Sequence, residues 1–230
     1  MPSAVLKKPG LTGNQLKLIA MLAMTCDHVG LQLFPQLEIL RLIGRLALPV
    51  YAYLIAEGCR HTRSRKKYFL RLFGLGALCQ IVYFVAMGSL YQCILITFSL
   101  SVCLICVLDR AEETKSNASR LLATGTLAGV FFVSVILPDL LPRTDFAIDY
   151  GLMGILLPVL IYYGNPKWVY LTVGLILLAL QCGGNQWFAL TAVPLLAMYN
   201  GQRGKGNWGT LFYLYYPAHL VVIYVLSLLF

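Results

Sequence analysis

The sequence is short of charge. Its 230 residues include 18 Lys and Arg and nine Asp and Glu, so 12% are charged, against about 25% in an average soluble domain. With 59% hydrophobic residues and a mean hydropathy of +0.76, the composition excludes an ordinary globular enzyme and indicates a polytopic membrane protein. It also bears on the net charge of +9. In a soluble chain that excess would suggest nucleic acid; here the basic residues read as topology anchors beside membrane helices, and no nucleic-acid partner is expected. No separate signal peptide is expected, because the first apolar stretch is followed by more of the same kind and reads as a retained helix. Metal chemistry lacks its ligand pattern. The seven cysteines fall mostly inside apolar runs, and Cys103 and Cys106 form a C-x-x-C without a second Cys or His pair at zinc spacing. No internal repeat and no soluble domain stand out, so residues 1–230 are expected to form one domain.

What is present is a series of apolar runs. A helix needs about 20 such residues to cross the hydrocarbon layer. Nine segments qualify or come close: 15–34, 42–59, 68–87, 92–108, 121–137, 150–163, 168–182, 186–199 and 211–229. The sixth to eighth are short, which leaves re-entrant segments open. The expected fold is all-α, a polytopic integral membrane helical bundle of about nine transmembrane segments. The loop CRHTRSRKKYFLR is the strongest basic cluster and should be cytoplasmic. Alternation then places Lys7, Lys8, DRAEETKSNASR, Lys167 and GQRGKGNW inside as well. The expected location is the cytoplasmic (inner) membrane, with the N-terminus inside and the C-terminus outside.

Against this background a few polar residues are conspicuous. The stretch MLAMTCDHVGLQLFP carries Asp27 and His28 in a run otherwise fit for lipid, at a cost of roughly 2.5–3.5 kcal/mol or more per buried charge. Lys17 lies eleven residues before His28, which returns it to nearly the same helix face about 16 Å away. Asp27 and His28 project about 100° apart and need not touch. A bond from His28 to a neighbouring helix is the plain structural alternative.

Arg41 and Arg45 share a face of the second segment. Snorkelling to the interface suits Arg41, while Arg45, a turn deeper, calls for a carboxylate or ligand partner. Pro49 stands mid-segment and is expected to kink it. Glu57 has Arg60 and His61 at i+3 and i+4, so a local salt bridge competes with a functional role. Asp149 opens the sixth segment and could be a helix cap. YNGQRGKGNWG is either a flexible topogenic loop or a phosphate cradle of glycine N–H groups with Arg203 and Lys205. In the last segment Tyr213, Tyr216 and His219 form one stripe at i, i+3 and i+6. Acids, bases and cations gathered in a lipid-enclosed bundle mark a site by default, and histidines exchange protons near neutral pH.

LKLIAMLAMTCDHVG, RLIGRLALPVYAYLIAEGCRHTRSRKKYFLRL, DYGLMGILLPVLIYY and YNGQRGKGNWGTLFYLYYPAHL, taken in order, resemble the TraX family, named for the conjugative-pilin acetylase. The likeness runs from about Leu16 to Leu220 and is thin over 88–140. That family is similar to a wider group of membrane acyltransferases, in which a basic residue on the first helix is followed eleven positions later by a His taken to be catalytic. Lys17, where Arg is usual, and His28 occupy that pattern. The resemblance implies a membrane acyltransferase that moves an acetyl or other acyl group from cytosolic acyl-CoA to an amine or hydroxyl. The acceptor would be a peptide N-terminus, a sugar or a small metabolite, and no metal is required.

Acyl transfer needs a general base and stabilisation of an oxyanion. His28 is the expected base, with Asp27 or another carboxylate setting its tautomer, Arg45 or a tyrosine of the last segment facing the oxyanion, and His219 completing the catalytic set. Cations for the CoA phosphates are Lys17, Arg60, Arg63, Arg203 and Lys205; Arg41, Glu57, Asp149, Tyr213 and Tyr216 are the expected acceptor-binding residues. The competing reading is a proton-coupled transporter or exporter that uses Asp27, His28 and His219 as a relay, although no inverted repeat supports it.

Overall fold

The computed structural model describes residues 9–206 and 208–229. Lys7 and Lys8, counted above toward a cytosolic N-terminus, lie outside the described residues, as does Asn207 of the glycine-rich loop. The chain is helical, and its described residues form no β-strand beyond two isolated bridges. It divides into two compact units, Met1–Leu54 with Asn185–Phe230, and Ile55–Gly184.

The first unit is built on α1 (Gly13–Gln32). Thr12 and Gln15 close a capping box at its start: Thr12 Oγ1 accepts from the Gln15 amide, and Gln15 Oε1 accepts from the Thr12 amide. The next two orphan donors are met from far along the chain, because Gly13 and Asn14 donate to the carbonyls of Gln202 and Arg203 at 2.8 and 2.9 Å. α2 (Glu38–Gly44) folds back against α1. Two glycines permit the approach: a Cβ on Gly30 would stand 2.8 Å from Leu40 Cβ, and one on Gly44 would collide with Asp27. Such small residues let helix backbones pack closely in a membrane.

α3 (Ala47–His61) follows after a break at Arg45–Leu46. Pro49 explains the break, but not as a mid-helix kink: it stands in the first turn of α3. It has no N–H for the carbonyl four residues back, that of Arg45, and its ring crowds that carbonyl. The chain therefore breaks upstream, where the proline's missing bond falls.

In the second unit, α4 (Arg65–Met87), α5 (Ile94–Thr114) and α6 (Asn117–Phe131) are followed by one π-helical turn (Phe132–Ile136) and α7 (Leu137–Leu140). α8 (Gly151–Tyr163) and α9 (Lys167–Cys182) complete it. α5 is, with α8, among the more buried helices of this unit. Its Ser101 hydroxyl donates to the Ile155 carbonyl at 2.7 Å and its Thr97 hydroxyl to the Asp149 carbonyl at 2.9 Å, so its polar side chains bind it to α8. α4 and α6 present large apolar side chains outward, among them Ile81, Val85 and Leu121, as lipid-facing helices do.

Among the described residues, four helical stretches are long and apolar enough to cross a membrane: Glu38–His61, Arg65–Met87, Ile94–Thr114 and Asn117–Leu140. α8, α9 and Leu211–Ser227 of α11 (Gly209–Ser227) are apolar but shorter. α1 has the length, at 20 residues, but its polar residues keep it out of that set. The expected eighth segment, 186–199, is not one α-helix. It is a 3-10 helix (Gly184–Thr191) followed by α10 (Ala192–Ala197), whose six residues rise only about 9 Å. The architecture of the described residues is thus an all-α membrane-type fold with four full-length apolar helices and several shorter ones.

Candidate functional site

All the elements that follow in this and the next paragraph belong to the first unit. α1 and α11 pack side by side and bring two histidines together. His28 Nδ1 lies 2.9 Å from the Met24 carbonyl, and His219 Nδ1 lies 2.9 Å from the Tyr215 carbonyl. A carbonyl only accepts, so both Nδ1 atoms carry the proton. That fixes both tautomers. His219 Nε2 then offers its lone pair to His28 Nδ1 at 3.3 Å, and His28 Nε2 is left as an acceptor with no hydrogen bond among the described residues. His219 is buried and His28 half-buried. Around the pair, Tyr215 stacks on His219 with ring centroids 5.2 Å apart, and Tyr216 meets it edge-on at 5.6 Å. The Tyr215 hydroxyl donates to Thr25 Oγ1, which in turn donates to the Met21 carbonyl at 2.9 Å. Tyr215 and Thr25 escaped the sequence reading; Tyr215 lies one turn before His219, a spacing that could have found it.

Asp27 does not orient His28. Its two oxygens are taken by arginines: Oδ1 accepts from Arg45 Nη2 and Oδ2 from Arg41 Nη1, each at 2.8 Å. The Met24 carbonyl does the orienting in its place. Arg45 therefore has the carboxylate partner its depth called for. Its Nε donates to the Arg41 carbonyl at 3.3 Å and its Nη1 to Gln186 Oε1 at 3.1 Å. Arg41 does not simply snorkel, since Nη1 also reaches the Asp27 carbonyl at 3.1 Å. Gly44 and Gln186 are further residues that the sequence reading missed.

At the other end of α1, Lys17 Nζ lies 5.1 Å from the centre of the Phe212 ring, a cation–π contact. The glycine-rich loop reaches this end with the opposite polarity to a phosphate cradle. It offers carbonyls to the N–H groups of Gly13 and Asn14, and the Lys205 carbonyl accepts from Asn14 Nδ2 at 3.0 Å. Gly204 runs at φ +90°, and a Cβ there would stand 2.7 Å from Thr12 Oγ1; only glycine fits. The loop is a cap for α1, and its side chains Arg203 and Lys205 are exposed. Tyr213 sits about 9 Å along the axis of α11 from His219.

Four expected site residues fall in the second unit. Glu57 accepts from Arg60 Nη1 at 2.8 Å and Lys167 Nζ at 2.9 Å, with His61 at 3.4 Å. Arg60 Nη2 also donates to the carbonyls of Ile161, at 2.9 Å, and Tyr162, satisfying the last turn of α8. Arg63 is exposed between α3 and α4. Asp149 is not a side-chain cap of α8: Tyr150 holds that position without a side-chain bond, and Asp149 Oδ1 accepts from the Tyr91 hydroxyl at 2.7 Å. Asp109, which was not expected, accepts from Arg65, Tyr162 and Tyr163.

Comparison with known proteins shows which family the chain is similar to. The chain is 26% identical over 245 residues to a probable fimbrial assembly protein FimC, serogroup H1, of Dichelobacter nodosus, covering 91% of this chain and 93% of that one. A shorter match, 55% identical over 38 residues, joins 16% of the chain to 15% of an uncharacterized protein, RP591, of Rickettsia prowazekii (strain Madrid E). No solved structure matches. The family model described as TraX protein matches residues 12–227, a span that takes in α1, the arginine pair, the glycine-rich loop and α11. The chain belongs to the TraX family.

Proposed function

We propose that this protein is a membrane acyltransferase that moves an acetyl or other acyl group from acyl-CoA to an amine or hydroxyl, with His28 as general base. The observation that carries this reading is the open Nε2 of His28, a lone pair held in one tautomer on the first helix of a TraX family member. As the acceptor nitrogen or oxygen attacks the thioester carbonyl carbon, His28 Nε2 takes its proton. The carbon–sulfur bond then breaks, and the departing thiolate recovers that proton from His28, leaving free CoA and an amide or ester. While His28 is protonated, its Nδ1–H is shared between the Met24 carbonyl and His219 Nε2. His219 thus serves the part that a carboxylate plays in a Ser-His-Asp triad. Tyr216, edge-on to His219, is our choice for the oxyanion.

Lys17, Arg203 and Lys205 are the cations proposed for the CoA phosphates, about 16 Å along α1 from His28. The donor then enters from that end, which the positive-inside rule makes cytosolic. A fimbrial assembly protein among the relatives and the pilin-acetylase resemblance favour a peptide N-terminus as acceptor.

The test uses purified protein in nanodiscs with labelled acetyl-CoA and a panel of peptides with free N-termini, sugars and small amines. Acceptor-dependent release of CoA thiol is the expected result. Acetyl-CoA that is neither bound nor consumed with any acceptor, alongside His28-dependent solute flux in vesicles, would instead make the protein a transporter.

A further inference from the structure

The first unit holds a polar cluster that the transfer step leaves unused. Asp27, Arg41 and Arg45 together carry one more positive than negative charge. Glu38, one turn before Arg41, makes no ion pair with it. Arg41 spends only Nη1 on Asp27; among the described residues its Nε and Nη2 make no hydrogen bond. That edge of a guanidinium is the one that grips a carboxylate with two parallel bonds.

Gln186 adds an independent sign. It is 3% exposed, and its Oε1 accepts from Arg45. A guanidinium has no acceptor, so the amide cannot be flipped and Nε2 must face away from Arg45. Nε2 is sealed from solvent and unpartnered. Buried side-chain donors are nearly always paired; this one has no acceptor among the described residues, in a cluster that carries excess positive charge.

We infer that Arg41, Arg45 and Gln186 form an oxyanion subsite that takes a carboxylate of the acyl acceptor. Resting on the acyltransferase reading, this names the acceptor class: an amine or hydroxyl compound that also carries an acid. The cluster follows directly from Asp27, the neighbour of His28, and lies at the opposite end of α1 from Lys17. Donor phosphates and acceptor carboxylate would thus be gripped at separate ends, with the base close to the acceptor.

The binding test needs no acyl-CoA, so its failure is separable from failure of the transfer reading. Protein in phosphatidylcholine nanodiscs is titrated with succinate, with neutral succinamide and with inorganic phosphate, and the thermal midpoint is followed to saturation. Matched discs containing phosphatidylglycerol test a lipid headgroup as the source of the anion. Succinate should bind saturably and succinamide should not. Gln186→Glu keeps a partner for Arg45 but replaces the donor with a carboxylate, and should raise the succinate Kd tenfold or more. Gln186→Met, of similar volume, should weaken it less. Saturable succinate binding that is lost in Gln186→Glu supports the proposal. No saturable binding, unchanged binding in Gln186→Glu, or stabilisation by phosphatidylglycerol alone overturns it.

Discussion

Gly44→Ala is the smallest change that tests whether the arginine–aspartate fork shapes the site. A Cβ at this position would lie 2.7 Å from Asp27 Cγ and closer still to its Cβ and Oδ1. The methyl is fixed to the backbone and has no rotamer in which to retreat. Either Asp27 turns away, or α2 withdraws by about 1 Å to regain ordinary contact. A withdrawal of that size takes the Arg45–Asp27 bond from 2.8 Å to about 3.8 Å, outside hydrogen-bond range. Overpacking of this kind costs about 1–3 kcal/mol, and each charge-assisted bond lost adds about 1.5–3 kcal/mol. Gly125→Ala is the matched control. Its Cβ would meet nothing within 4 Å, so the same substitution in α6 should stabilise the helix by about 0.5–1 kcal/mol. Thermal unfolding of the two variants in one detergent, followed by fluorescence-detected gel filtration, reads both. Gly44→Ala should unfold well below the wild type and Gly125→Ala at or above it. If Gly44→Ala matches the wild type in midpoint and in acyl transfer, the close approach of α2 to Asp27 is not what the site depends on.

Tyr215→Phe keeps the ring stacked on His219 but removes the hydroxyl that bonds Thr25; it should cost about 0.5–1.5 kcal/mol by chemical unfolding and leave transfer within a few-fold. Neutralising Arg203 and Lys205 together as glutamines should raise KM for acetyl-CoA more than it lowers kcat, because both side chains stand exposed at the Lys17 end of the unit and touch neither histidine. In the second unit, the Ser89 hydroxyl and the Leu90 amide hold the Asp145 carboxyl below the usual carboxylate range. Its folded pKa is depressed, so its contribution is complete above about pH 4 and fades as the pH falls through the lowered value. Asp145→Asn should flatten that acid limb of the unfolding midpoint, most visibly below pH 4.

How far the site could be read from residues alone depended on whether spacing along one helix carried the information. Arg45 was legible because its depth in an apolar segment demanded a carboxylate, and Asp27 is that carboxylate. The two histidines were singled out for the same reason, as polar groups that lipid would not tolerate. Their contact at 3.3 Å joins helices 191 positions apart and has no trace in either segment. Asp27 was misjudged because adjacency in the chain suggested it as the partner of His28; a helix points neighbours about 100° apart, and the free direction faced α2. Pro49 was read as interior because the apolar run passes through it unbroken, whereas the backbone breaks four residues earlier, at the carbonyl that a proline cannot bond. Gly44 and Gln186 were illegible for different reasons. A close helix approach shows only when both helices are present, and Gln186 lies on a 3-10 turn, where no 3.6-residue stripe announces the buried side.

The central claim is that His28 Nε2 takes the acceptor's proton. The most direct measurement is the rate of label transfer from acetyl-CoA by His28→Ala, compared with the wild type at equal amounts of monodisperse protein. General-base removal predicts a loss of about 10²–10⁴-fold in kcat with the unfolding midpoint little changed. A variant that transfers the label within a few-fold of the wild-type rate would contradict the account.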